Sequence, residues 1–214
     1  FADDIAVDPA GNIYLTGSTS STEQGFPVKV GPDATYNGGT SDVFLAKVTS
    51  DGVSLAYCGY LGGAGQDTAD SIALDAAGNT HVAGVTNSTE QSFPVKTGPD
   101  LTFNGGQWDG FVAKVDAAGT RLLYCGYVGG SGSDEATGIA VDGSGYAYVT
   151  GNTYSSEATF PVGHTGWLSS MVHSSQSFDT FVAKVDVSGQ TLVYCGYIGG
   201  DGDGRQLRYL GPIN

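Results

Sequence analysis

The chain spells one phrase three times: YCGYLGG at 57–63, YCGYVGG at 124–130 and YCGYIGG at 194–200. Other landmarks keep the same interval. Ile5, Ile72 and Ile139 stand 67 residues apart, as do Gly11, Gly78 and Gly145. Cys58 to Cys125 is again 67, and Cys125 to Cys195 is 70, with the three extra residues falling between Asn152 and Asp179. A fixed period of this kind marks a repeat architecture, in which each unit buries its apolar face against the next because it cannot do so alone. The units fall at 1–67, 68–135 and 136–204, with a tail at 205–214, together one domain.

Each unit carries four short β-type runs between turn residues. In the first they are IAVD (5–8), IYLTG (13–17), VFLAKV (43–48) and LAYCGYL (55–61). Pro9-Ala10-Gly11-Asn12 joins the first two and Asp51-Gly52 the last two, since glycine and asparagine take positive φ at little cost. Four antiparallel strands, up and down, make a propeller blade. The expected fold is therefore all-β: three four-stranded antiparallel blades in an incomplete propeller arc. The 35 glycines show no three-residue period, which excludes collagen and fits frequent turns. With 40% hydrophobic and 11% aromatic residues, the chain can fill a core.

The stretches IAVDPAGNIYLTG, FPV, DVFLAKV and LAYCGYLGGAGQD, with counterparts in every unit, resemble the SBBP repeats, β-propeller repeats related in pattern to NHL-type blades. The likeness runs over about residues 1–204. It implies that IAVD is the innermost strand of a blade and the YCGY run the outermost. It also implies an extracellular or envelope setting, and it implies no reaction.

Propellers close with roughly four to eight blades, so three copies form only an arc with two raw apolar faces. The missing contact is expected from blades on a longer chain, from a second copy closing a six-bladed ring, or from a heterologous, non-closing contact that builds a filament. The tail GRQLRYLGPIN, with Arg205, Leu207, Arg208, Tyr209 and Leu210, reads either as a strand added to the next subunit or as a cap on blade 3. The chain opens on FADDIAVD, already inside the repeat, and is read as a mature product or a cut piece, secreted to the cell exterior or surface with its leader absent. No apolar run reaches the roughly 18 residues a transmembrane helix needs.

Cys58, Cys125 and Cys195 occupy equivalent places in different blades, too far apart to bridge one another. Small buried apolar thiols are the plain reading, with bonds between chains as the alternative and no CxxC spacing to suggest metal or redox work.

Eight basic against 22 acidic residues give a net charge of −14, which disfavours nucleic acid and anionic membranes. That excess suits Ca²⁺, the one cofactor the sequence raises. GGAGQD (62–67), GGSGSD (129–134) and GGDGDG (199–204) resemble a calcium nonapeptide, but recur only once per blade. The candidate ligands are Asp67, Asp134, Asp201 and Asp203, with Asp3 and Asp70; the competing account is a glycine-rich crossing between blades. Asp8, Asp75 and Asp142 end each inner strand, as turn caps or as the lining of a channel. Lys47, Lys114 and Lys184 each follow an aspartate by five residues, a spacing that puts the two on opposite strand faces and predicts no ion pair between them.

The long segment after the second strand departs from the pattern in unit 3, where Trp167, Met171, His164 and His173 form the candidate contact surface. Asn87-Ser88-Thr89 fits a glycosylation acceptor, a match the other units do not share. No catalytic motif is present, and His81 exchanges with Tyr14 and Tyr148 between units, which argues against a general base. The sequence thus reads as a non-enzymatic extracellular assembly protein, self-associating head to tail. A glycan- or protein-binding propeller module and a fragment of a larger propeller enzyme are its rivals.

Overall fold

The computed structural model describes residues 1–162 and 178–198. Its strands are β1 Ala2–Val7, β2 Ile13–Thr19, β3 Asp42–Val48, β4 Leu55–Leu61, β5 Asp67–Leu74, β6 Thr80–Thr86, β7 Asp109–Val115, β8 Leu122–Val128, β9 Asp134–Val141, β10 Ala147–Thr153, β11 Asp179–Val185 and β12 Leu192–Ile198. They form three four-stranded sheets, β1 to β4, β5 to β8 and β9 to β12, each in chain order and antiparallel throughout. The predicted all-β fold of three propeller blades is the fold found. The described residues contain no helix, so none long and apolar enough to cross a membrane.

The hairpins form where the sequence places them. Gly11 takes φ +84° and donates its N–H to Asp8 O, while Asp8 N–H donates to Asn12 O. The Asp8 carboxylate accepts the Ala10 and Asn12 amides at 2.9 Å and the Asn12 side-chain amide at 2.8 Å. The repeated aspartate therefore caps its own turn, and Asp75 does the same for Ala77 and Asn79.

The long segment between the second and third strands has a structural role that its spacing did not reveal. Lys29 and Cys58 exchange two backbone hydrogen bonds, and Tyr60 N–H donates to Asp33 O, so the segment runs along the free edge of β4. Lys96, Cys125, Tyr127 and Asp100 repeat this in blade 2. An open outer edge would offer unpaired N–H and C=O groups to other strands. Within the same segment the phenylalanine of FPV packs its ring on two others: Phe26 on Phe44 and Tyr60, Phe93 on Phe111 and Tyr127, Phe160 on Phe181 and Tyr197.

The blades stack in series, β5 against β1, β2 and β3, then β9 against β5, β6 and β7. Each blade thus has a leading face toward the blade before it and a trailing face toward the blade after.

Candidate functional site

Strand alternation sends Tyr57 and Leu61 to the trailing face of blade 1 and Cys58 and Tyr60 to the leading face. At the first junction Tyr14, Val43, Leu45 and Tyr57 pack against Phe111, Ala113, Cys125 and Tyr127 of blade 2. At the second, Ala83, Val112, Tyr124 and Val128 meet Phe181, Ala183, Cys195 and Tyr197. The three cysteines are buried and unbonded, as the sequence suggests. Burial pushes the thiol pKa of Cys58 up to about 11 and that of Cys195 up to about 12, and raises Cys125 as well.

The outer members of this series are less covered. Ile5 and Val7, on blade 1, are 58% and 60% exposed, whereas Ile72 at the place of Ile5 is 6% exposed beneath blade 1. On blade 3, Ile198 is 46% exposed, where Leu61 and Val128 are 1% and 0%.

Polar groups fix how the blades meet. Tyr57 Oη lies 2.9 Å from Thr80 Oγ1, and Asp4 Oδ2 accepts Ser71 Oγ at 3.0 Å and Ile72 N–H at 2.8 Å. A second device repeats at both junctions. Gly62 lies between the carboxylates of Asp42 and Asp67, and Gly129 between those of Asp109 and Asp134. Asp67 accepts Gly63 N–H at 2.8 Å, Ser88 Oγ at 3.0 Å and the Thr86 hydroxyl. Asp134 accepts Gly130 N–H at 2.7 Å and Ser155 Oγ at 2.8 Å, with the Thr153 hydroxyl beside it.

Asp42 and Asp109 are less well provided. Each accepts one amide, from Asn37 at 2.7 Å and Asn104 at 2.6 Å, and the Oδ1 of each is buried with no hydrogen-bond partner, as is that of Asp134. Burial, reinforced by the neighbouring Asp67 or Asp134 carboxylate, pushes both up to about 7. Two carboxylates held together in a poorly solvated place disfavour double ionisation.

At the inner end of each blade the repeated lysine meets the turn-capping aspartate. Lys114 Nζ is 2.9 Å from Asp75 with both side chains almost fully buried, while Lys47 to Asp8 is 3.8 Å and Lys184 to Asp142 is 3.9 Å at more open sites. The lysines do not pair with the aspartates five residues before them, as strand alternation requires. The Asp–Lys pairs were not read from the sequence, although both partners recur with the period. Burial alone would raise Asp75, but hydrogen bonds from Asn79 and Lys114 outweigh it and hold the carboxyl well below its usual range. His81 is buried, 3.1 Å from Tyr124 Oη and 3.4 Å from Asp75 Oδ2, and burial pushes it down to about 4. A neutral, enclosed imidazole is packing here, in the place of Tyr14.

Of the calcium candidates among the described residues, Asp3 and Asp70 lie near one another, while Asp67 and Asp134 stand apart. Asp67 and Asp134 serve different junctions, tied down by hydroxyl and amide donors. Asp3 and Asp70 sit at register shifts of the inner strands. Burial, with the Asp3 and Glu135 carboxylates nearby, pushes Asp70 up to about 6. Among the described residues no group of three or more His, Cys, Asp or Glu side chains is arranged to hold a metal ion. Asp201, Asp203, His164, Trp167, Met171, His173, Arg205, Leu207, Arg208, Tyr209 and Leu210 lie outside the described residues. In the acceptor-like triplet, Ser88 is buried and serves as a donor to Asp67.

The SBBP β-propeller repeat matches residues 1–23 and 125–157. These segments carry the SBBP repeat pattern. The first spans the inner hairpin of blade 1; the second runs from the outer strand of blade 2 through the inner hairpin of blade 3. The second SBBP match therefore crosses a blade junction, including Asp134 and Ser155. No curated protein matches the chain.

Proposed function

We propose that this chain is a non-enzymatic extracellular building block whose work is self-association, the leading face of blade 1 receiving the trailing face of a second copy. The observation that carries this is the contrast between Ile5, 58% exposed, and Ile72, 6% exposed at the same place in the repeat. Apolar surface of this kind is stabilised by removal from water. The two internal junctions supply the template, because each joins one leading and one trailing face. A head-to-tail contact between copies is heterologous, so it closes into a ring or continues as a filament. The placement outside the cell follows the setting that the repeat family implies. The net charge of −14 fits a partner other than nucleic acid.

Sedimentation over a range of protein concentrations tests this. The expected result is a mass that grows with concentration, to a discrete dimer for a ring or to an open series for a filament. Ile5→Asp with Val7→Asp should return the protein to monomers, with a melting temperature matching that of the unsubstituted chain at concentrations low enough to keep the latter monomeric. A monomer at every concentration would sink the proposal.

A further inference from the structure

The hairpin that joins the two outer strands of each blade carries a glycine at the same place, Gly52, Gly119 and Gly189, with φ of +72°, +73° and +79°. At two of them something lies against the glycine. A Cβ on Gly119 would stand 2.3 Å from the ring of Tyr57 in the preceding blade, and one on Gly189 would stand 2.3 Å from the ring of Tyr124. Each internal junction therefore seats a tyrosine of the trailing face over a bare hairpin of the next blade. Gly52 has the same backbone conformation and nothing within 4 Å. The tyrosine equivalent to Tyr57 and Tyr124 in blade 3 is Tyr194, which is only partly buried where the other two are 1% exposed. The hydroxyl need not find a partner across the junction, since Tyr124 bonds to His81 of its own blade.

We infer that a second copy of this chain docks with its Tyr194 ring over the Gly52 hairpin, in the register of the two internal junctions. This rests on the self-association proposed above and adds the partner groups and the register. The same alignment brings Ile198 of one copy toward the face carrying Ile5 and Val7 of the other, all three of them exposed apolar side chains. Gly52 supplies the bare backbone that the ring needs, and its neighbour Val53, 80% exposed, flanks the position.

The test is a disulfide between copies. At the internal junction the added Cβ of Gly189 would lie 2.6 Å from Tyr124 Cβ, a separation that a small adjustment brings to the roughly 3.5–4.5 Å of a disulfide. A Tyr194→Cys protein is mixed with a Gly52→Cys protein under mild oxidation, with the unsubstituted chain as control for its buried thiols. The expected result is a cross-linked pair in the mixture, about tenfold above either protein alone. Where Gly52→Cys weakens the hairpin, Val53→Cys replaces it. Association in sedimentation without the cross-link would overturn the register and leave self-association standing. A cross-link in Tyr194→Cys alone would overturn the head-to-tail arrangement. Monomers throughout, with Tyr194 covered by residues of its own polypeptide, would overturn both.

Discussion

Replacing Gly119 by alanine separates two costs that usually come together. The first is backbone strain: a Cβ at positive φ costs roughly 1–2 kcal/mol, and it applies equally at Gly52, Gly119 and Gly189, whose φ values span +72° to +79°. The second is steric and exists only where a neighbour stands. At Gly119 and Gly189 the new carbon meets tyrosine ring atoms at 2.3 Å, more than 1 Å inside ordinary van der Waals contact, whereas at Gly52 it meets nothing within 4 Å. Tyr57 and Tyr124 are 1% exposed, so neither ring can swing aside freely. Overpacking of this kind costs roughly 1–3 kcal/mol. Gly52→Ala should therefore lose about 1–2 kcal/mol, and Gly119→Ala or Gly189→Ala about 2–5 kcal/mol. In a chain of this size each kcal/mol moves the melting temperature by roughly 2–4 °C, so the steric part alone is worth about 2–12 °C. Thermal unfolding followed by circular dichroism, at protein concentrations low enough to suppress association, reads the difference. A double-mutant cycle completes the argument: in a Tyr57→Ala background, Gly119→Ala should cost no more than Gly52→Ala. Equal losses at all three glycines, or no coupling between Tyr57 and Gly119, would refute the ring-on-hairpin contact and with it the register inferred for the assembly.

Two further expectations concern titration. Asp42 and Asp109 ionise near pH 7 in the folded protein, above the ordinary carboxyl value of 3.8, so the folded state binds more protons between those limits. Their contribution is complete below about pH 4 and is lost as pH rises through 7. The melting temperature should fall from pH 5.5 to pH 8, and Asp42→Asn with Asp109→Asn should flatten that fall; a wild-type profile that climbs over this range contradicts the carboxylate pairing. The thiols of Cys58, Cys125 and Cys195, buried and with raised pKa, should react with an aromatic disulfide reagent at least about a hundredfold more slowly in the native protein than after unfolding. Rapid labelling of all three in native buffer would show that the blade faces are open.

Much of the fold was legible because it is local and periodic. The positive-φ glycines at 11, 78 and 145, the alternation in YCGY and the four runs per unit each constrain a few consecutive residues, and threefold repetition makes them unmistakable. The long segment after the second strand was less legible. Its pairing with β4 uses main-chain groups at Lys29 and Asp33, which leave no side-chain signature. The junction chemistry was hidden for a different reason. Asp67 and Asp134 stand out inside a glycine-rich motif, but the aspartate of the preceding blade that lies beside each, Asp42 or Asp109, is far away in the chain and carries no such motif of its own. Lys47 is five residues from Asp42 on its own strand, while its partner Asp8 meets it from the hairpin of the inner strands.

The amino-acid order by itself determined the blade, its number of copies and the side chains each face presents, because strand alternation and turn conformation are fixed by neighbours along the chain. Only the tertiary structure decided what each face meets: Tyr57 on Gly119, Asp42 beside Asp67, and Ile5 in the open where Ile72 is covered. Those contacts depend on how one rigid sheet is placed against another, and identical repeats carry the same information whether or not a neighbouring blade is there to use it.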